Sequence, residues 1–293
     1  MLIRCYAKIN LTLEVLGRRA DGFHDLASLA HTISLADDLR IDPAHEILTR
    51  VEAIEMLENN LVTRAAYLLA STTRTRRGAE LTLVKRIPVA AGLGGGSSDA
   101  AATLVGLNQL WQSRLGYHAL ASLAGHLGSD VPYFLRGGAA VLRGRGEELE
   151  ALPAVAGQWL VLAVPEQTLA NKTATLYAAL TEADLSSGTA TEALAARLRS
   201  GQGLRGAHLA NAFERAARDV FPGLNELWEH LQRRCARPFH LSGAGPALFA
   251  LADARAEALQ LARQVTSPGV HTFAARTVQH ARASIRATRI EYA

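Results

Sequence analysis

Cysteine is scarce in this 293-residue chain: Cys5 and Cys235 are the only two, far apart and without metal-ligand spacing. That excludes a disulfide framework and a cysteine-based zinc site, and it suits a reducing compartment. Long apolar runs are missing as well. No stretch of ~18 uninterrupted hydrophobic residues occurs, so no transmembrane helix is expected. The start, Met1-Leu2-Ile3-Arg4-Cys5-Tyr6-Ala7-Lys8, is broken by charge and lacks the apolar region of a signal peptide. These absences make a cytoplasmic location the expectation. Lysine is rare too: Lys8, Lys85 and Lys172 are the only three among 31 basic residues, the rest being arginine. A formal charge of +4 hints at nucleic acid, but the basic residues are scattered and not interleaved with aromatics, so no nucleic-acid partner is expected. What is left, 49% hydrophobic and 20% charged, is an ordinary globular composition with enough chain for one or two domains.

Glycine, in contrast, is concentrated. Pro88 to Ala102 contains Gly92, Gly94, Gly95 and Gly96 with Leu93 among them, followed by Ser97, Ser98 and Asp99 at the start of an alanine-rich helix. Glycines let backbone N–H groups approach an anion with no Cβ in the way. The serines and Asp99 are good N-cap residues, and a helix N-terminus is a ready site for a polyphosphate. Two well-known phosphate loops do not fit. A P-loop needs a lysine directly after its last glycine, and here Ser97 follows Gly96. The dinucleotide fingerprint would place its third glycine at position 97, and the stretch lies well past the first strand.

Taken in order, the chain opens with a strand in which Ile9, Leu11, Leu13 and Val15 alternate with Lys8, Asn10, Thr12 and Glu14. The second face is either merely wet or turned to an anionic or polar ligand. Gly17 to Gly22 reads as a turn, and Phe23 and His24 open the return strand. They are a core and a surface residue, or else an aromatic and an imidazole that grip a planar base. Short strands over Ser34–Ile41 and His45–Val51, with polar turns at Asp37-Asp38 and Asp42-Pro43, lead to a helix capped by Asn59-Asn60. A strand over Leu81–Lys85 enters the glycine stretch, whose helix buries Leu104, Leu107 and Trp111. Leu120, Leu123, Ala124 and Leu127 mark a further helix that ends at Gly128. Asp130 then reads locally as a helix N-cap, with a general base as the alternative. Residues 152–157 look like a linker, and Trp159–Val164 is a continuous apolar strand opening a second domain. Lys172-Thr173 begins a helix through Tyr177, and residues 185–206 read as a mobile helical excursion. Helices over Leu209–Arg218 and Gly223–Arg234 follow. A strand then enters a second glycine turn, Ser242-Gly243-Ala244-Gly245-Pro246, and a helix over Ala254–Val265 and a strand over Val270–Ala275 close the chain.

Three separated pieces, Lys8-Ile9-Asn10-Leu11, Pro88…Gly92-Leu93-Gly94-Gly95-Gly96-Ser97-Ser98 and Ser242-Gly243-Ala244-Gly245-Pro246, resemble the three motifs of the GHMP small-molecule kinases. Asp21-Gly22-Phe23-His24, Asn60-Leu61-Val62, Leu127-Gly128-Ser129-Asp130-Val131-Pro132, Gly144-Arg145-Gly146-Glu147 and Asn211-Ala212-Phe213-Glu214 are similar to the branch that phosphorylates cytidine diphosphate-methylerythritol on the non-mevalonate route to isopentenyl diphosphate. The resemblance implies a two-domain α+β fold. A ribosomal-protein-S5-like domain would cover residues 1–155, and a ferredoxin-like α/β sandwich residues 156–293. It implies ATP and Mg²⁺ as cofactors, with Asp130 as catalytic base and Lys8 as its partner cation, stabilising developing charge. Pro88 and Gly92 to Ser98 would hold the ATP phosphates, and Asn60 and Lys85 the nucleoside. Asn10, Phe23, His24, Asp130, Thr173, Tyr177, Gly243 and Gly245 would form the acceptor site. No metal ligands are implied, and the quaternary expectation is a monomer or weak homodimer. The chain departs from the pattern at Phe23, where tyrosine is commoner, at Ala212, Ala244 and Ala247, and at the missing serine before Thr173. Competing readings are another kinase of the family, a nucleotide-binding regulatory protein without catalysis, and a basic nucleic-acid binder. Intact Lys8 and Asp130 argue against the second, and the lack of a basic cluster against the third.

Overall fold

The computed structural model describes residues 1–52, 60–167 and 169–279. Asn59, expected to share a cap with Asn60, lies outside them. The elements in chain order are β1 (Leu2–Arg18), β2 (His24–Ala44), β3 (Ile47–Glu52), α1 (Leu61–Thr73), β4 (Gly78–Val84), α2 (Gly95–Leu110), α3 (Tyr117–Leu127), α4 (Val131–Arg136), β5 (Ala139–Gly144) and β6 (Glu148–Leu152). Then come β7 (Trp159–Pro165), α5 (Lys172–Ala178), α6 (Thr189–Arg199), β8 (Ala210–Asn211), α7 (Glu214–Val220), α8 (Leu224–Cys235), β9 (His240–Leu241), β10 (Leu248–Ala252), α9 (Arg255–Val265) and β11 (Val270–Arg276). The fold is α+β and is built on two sheets. One runs β3-β4-β2-β1-β8, with β5 on β2 and β6 on β5; the other runs β11-β7-β10-β9.

Three apolar clusters explain the layering. Helices α1 to α4 cover the first sheet through Leu69, Leu104, Leu107, Leu123 and Phe134, packed against Ile3, Leu39 and Leu81. Ile9 and Leu11 of β1 meet Leu160 and Leu162 of β7, joining the two sheets. Val161 and Ala163 of β7 face the other way, onto Phe221, Trp228 and Leu261 under α7 to α9. A strand buried on both faces reads as an unbroken apolar run, which is what Trp159–Val164 is. Pairing of β1 with β2 slips between Tyr6 and Lys8. Beyond the slip Ile9 and Leu11 enter the inter-sheet cluster and Leu13 and Val15 the cluster under α7 to α9, whereas Ile3 and Cys5 before it pack under the helices of the first sheet.

Several expectations are corrected. Asp37-Asp38 is not a turn: β2 runs straight through it, pairing with β5 over Leu26–His31 and with β4 over Asp38–Ala44. Asp37 tolerates complete burial because it accepts from Lys85 and from the backbone N–H groups of Arg86 and Ile87. The second face of β1 is not wet. Lys8, Asn10, Thr12 and Glu14 are all buried. Thr12 and Glu14 hold α6: the Glu14 carboxylate accepts from the Thr191 N–H at 2.7 Å and the Ser186 hydroxyl at 2.9 Å, and the Thr12 and Thr191 hydroxyls meet at 2.9 Å. Residues 185–206 are therefore docked rather than loose, with Leu194 and Leu198 in the inter-sheet core. No helix starts at Leu209; Ala210–Asn211 pairs parallel with Thr12 and Leu13 of β1. Gly128 ends α3 in extended backbone at φ 165° rather than in the left-handed region.

Candidate active site

Backbone geometry builds the glycine segment first. Gly94 is the N-cap of α2 at φ 70°, with no side-chain cap, so Ser97, Ser98 and Asp99 lie inside the helix instead of capping it. Only glycine takes that conformation cheaply, and a Cβ at position 94 would come within 2.7 Å of the Phe134 ring and 3.2 Å of the Lys8 side chain. The first-turn N–H groups of Gly95, Gly96 and Ser97 have no intrahelical acceptor and no capping oxygen, so the helix end is open to an external anion. Beside it lies a cavity of about 320 Å³ lined by Asn60, Leu61, Lys85, Pro88, Gly92, Gly94 to Ser97 and Asp99.

Beneath that cavity sits a buried ionic cluster. Lys85 Nζ donates to Asp99 at 2.8 Å and to Asp37, which ties the end of β4 to the start of α2. Burial raises the Asp99 carboxyl above the usual carboxylate range against the pull of Lys85, and the Asp37 charge adds to the rise. Asn60 caps α1 by accepting from the Val62 N–H at 2.8 Å, and it lines the same cavity.

The three sequence motifs converge beside this loop. The backbone N–H of Lys8 donates to the Leu93 carbonyl at 2.9 Å, so β1 continues against the glycine segment. Lys8 Nζ donates to Asn10 Oδ1 at 2.5 Å and lies 3.7 Å from Asp130 Oδ2. Asn10 donates in turn to Ser28 Oγ at 2.7 Å. Asp130 stands at the N-cap position of α4 but makes no cap bond, and its side chain is 42% exposed. Gly243, at φ 57°, comes so close that a Cβ there would be 3.1 Å from Asn10 Oδ1 and 3.3 Å from Lys8 Nζ. The late turn is tied to the loop by the Ser242 hydroxyl on the Gly92 carbonyl and the Ala247 N–H on the Ala91 carbonyl, both 3.1 Å. Gly245 closes the turn at φ 63° against Leu241.

A second, larger cleft of about 1080 Å³ opens on the other side of Ser97 and is lined by Phe23, His24, Asp130, Arg145, Thr173 and Tyr177 among others. Phe23 is not a core residue: it is 53% exposed, with the Arg145 guanidinium 4.3 Å above its ring. His24 and Tyr177 stack at 4.5 Å, and Phe213 meets Tyr177 edge-on at 4.9 Å. Burial raises the Tyr177 hydroxyl pKa, with the Asp130 charge adding to it. Ser28, Arg145 and Lys172 were not among the expected site residues. Arg145 was signalled by its Gly-Arg-Gly-Glu setting and Lys172 by the rarity of lysine, whereas nothing local marked Ser28. Among the described residues no cluster of three His, Cys, Asp or Glu side chains could hold a metal ion, and no helix is long and apolar enough to cross a membrane.

Known proteins match most of the chain. The GHMP kinases N terminal domain matches residues 60–138, and the GHMP kinases C terminal domain residues 190–271. The chain is 41% identical over 285 residues to the 4-diphosphocytidyl-2-C-methyl-D-erythritol kinase of Gloeobacter violaceus, covering 94% of each chain. It is 42% identical over 248 residues to that of Dehalococcoides mccartyi, covering 84% of this chain and 87% of the relative. A crystal structure of a 4-(cytidine 5'-diphospho)-2C-methyl-D-erythritol kinase aligns with a TM-score of 0.81 at 34% identity, over 94% of this chain and 99% of that one. A homoserine kinase from Cytophaga hutchinsonii aligns at 0.67 with 18% identity over 95% of both, a likeness of fold alone.

Proposed function

The chain belongs to the GHMP kinase family, and from that membership we infer that it transfers the γ-phosphoryl group of ATP to the 2-hydroxyl of 4-diphosphocytidyl-2-C-methyl-D-erythritol. The observation that carries the reading is that Ser97 lines both cavities, so a phosphate held at the α2 N-terminus faces the cleft that contains Asp130. Phosphoryl transfer needs little covalent help from a protein; it needs the two reactants held in line and the developing charge stabilised.

In this reading Asn60, Leu61 and Lys85 border the nucleoside, and Pro88 with Gly92 to Ser98 surrounds the phosphates. Helix amides and the positive end of α2 offset the phosphate charge. ATP would bring Mg²⁺ with it as MgATP, supplying further positive charge at the phosphates that the residues from Gly92 to Ser98 would hold. Asp130 accepts the proton of the attacking hydroxyl, and Lys8, oriented by Asn10, offsets charge on the moving phosphoryl group. Phe23, His24 and Tyr177 offer flat faces and an imidazole edge to the cytosine, while Thr173, Asn10, Gly243 and Gly245 flank the polyol. Unpaired Cys5 and Cys235 suit a reducing cytoplasm. The test is ATP consumption by purified protein with the cytidyl substrate, run against homoserine, mevalonate and galactose. Turnover is expected with the first alone; its absence there sinks the assignment.

A further inference from the structure

Lys172 opens α5, and its side chain runs to two backbone carbonyls. Its Nζ donates to the carbonyl oxygen of Ala90 and to that of Gly245. Ala90 belongs to the donor loop and has φ 54°, a conformation alanine rarely adopts; Gly245 belongs to the late turn and has φ 63°. The other two links between these segments, from Ser242 and Ala247, are bonds between neutral groups. The link through Lys172 is charge-assisted, and such bonds are about twice as strong as neutral ones.

We propose that Lys172 is a positioning residue for phosphoryl transfer: its ammonium clips the Ala90 carbonyl to the Gly245 carbonyl and so fixes the donor loop against the late turn beside Lys8. Its effect on turnover rests on the kinase reading above, whereas the clip itself does not. The charged groups that act on it are Lys8 from β1 and Asp130 at the start of α4. Burial first, and then the Lys8 charge, bring the Lys172 ammonium down to about 8 while Asp130 opposes the fall. The clip is therefore largely charged at neutral pH and weakens as pH rises through about 8. A neutral amine keeps two donors but loses the charge that makes the bonds strong.

The test compares wild type with Lys172→Met, which keeps an unbranched stem and removes the donor. Amide exchange is followed over residues 89–95 and 243–247, and kcat and KM are measured across neutral and alkaline pH. Expected are exchange faster in those two segments than elsewhere, and kcat lowered about 10- to 100-fold at neutral pH with KM for the acceptor little changed. The wild-type fall in kcat through about pH 8 is expected to vanish in the variant. Unchanged exchange, a kcat within about twofold of wild type, or a retained alkaline limb each overturns the proposal. If wild type itself does not turn over the cytidyl substrate, the kinase reading fails, and the exchange comparison still decides the clip. If Lys172→Met does not fold, wild-type exchange on either side of pH 8 decides it. The two segments must lose more protection than other loops do, and equal acceleration everywhere overturns the clip.

Discussion

The rings of His24 and Tyr177 lie face to face, 4.5 Å between centroids and 13° apart in plane, one from the start of β2 and the other from α5. This stack joins the two sheet systems across the mouth of the acceptor cleft, and Phe213 supports Tyr177 from behind. A base entering the cleft meets a preformed aromatic wall rather than a loose side chain. Base–aromatic stacking is worth about 1–3 kcal/mol per base, so Tyr177→Leu should raise KM for the cytidyl substrate about 10- to 100-fold. KM for ATP should stay near its wild-type value, because Tyr177 does not line the donor cavity. Equal weakening of both substrates in steady-state kinetics would remove Tyr177 from base recognition.

Neighbouring glycines in the donor loop should respond in opposite ways to alanine. At Gly94, φ is 70° and a Cβ would collide with Phe134 and press on Lys8. The left-handed backbone costs about 1–2 kcal/mol for alanine and overpacking typically ~1–3 kcal/mol more. Gly94→Ala should therefore lower Tm clearly and reduce kcat through the displaced lysine. At Gly96 a Cβ meets only a Leu61 methyl, at 3.5 Å, on an exposed helical turn. Gly96→Ala should leave Tm unchanged or raise it, since alanine is favoured over glycine in a helix by roughly 0.5–1 kcal/mol. Calorimetry on the two variants separates the cases, and a similar loss in both would contradict the close-approach argument.

Features decided by near neighbours were legible in the sequence. Asn60 before an apolar run signals a cap; Leu120, Leu123, Ala124 and Leu127 show one helical stripe; Ile9 to Val15 alternate as a strand must. The glycine stretch, Lys8 and Asp130 could be placed in a common site because the family resemblance supplied the long-range pairing. Features decided at a distance were not legible. Asp37 and Asp38 look like turn residues until Lys85 and the amides of Arg86 and Ile87 are seen to satisfy Asp37. Asp99 looks like a cap, but Lys85 draws it inward and leaves the cap position to Gly94. The small, polar stretch around Thr191 looks mobile because nothing local reveals that Glu14 waits to bind its N–H groups. Phe23 reads from its neighbours either as core or as a base-stacking ring. Its structural surroundings are an arginine and an open cleft.

Stability should depend on pH through His31, which is wholly buried on β2 opposite Ile9 of β1 and Ala139 of β5. Its Nδ1 lies 2.9 Å from the Thr32 carbonyl, and Nε2 has no partner among the described residues. Burial brings the imidazole down to about 4, the Thr32 carbonyl opposing. The unfolded chain binds the proton first, near pH 6.5, so stability is lost as pH falls from there toward about 4 and is fully present above. The loss between about pH 7.5 and 5 is on the order of 2 kcal/mol. Urea unfolding of wild type and His31→Leu at both pH values checks it. The variant should show a smaller pH-dependent difference whatever its absolute stability, and an identical difference would mean that another group carries the effect.

The proposed catalytic pair, Lys8 and Asp130, makes the sharpest demand. Lys8 is held at its far end by Asn10, which is held by Ser28, whose hydroxyl donates at 2.6 Å to the Thr12 carbonyl of the same strand. The ammonium is thus fixed on a rigid strand, whereas Asp130, at a helix start with no cap bond, is free to meet a hydroxyl in the open cleft. Asp130→Asn keeps the shape and removes the base, so kcat should fall about 10²–10⁴-fold with ATP affinity nearly intact. Lys8→Met removes the fixed charge and should lower kcat about 10²–10³-fold, the range seen when one preorganised donor is lost from a reaction centre. Because the proposed base and cation serve one transfer step from neighbouring positions, their losses should not add. The double variant should lie within about tenfold of the slower single one, as groups that work as a unit do. Steady-state rates for the four proteins test this: full additivity would mean that the two side chains act independently, and near wild-type turnover by Asp130→Asn would take the base role from Asp130.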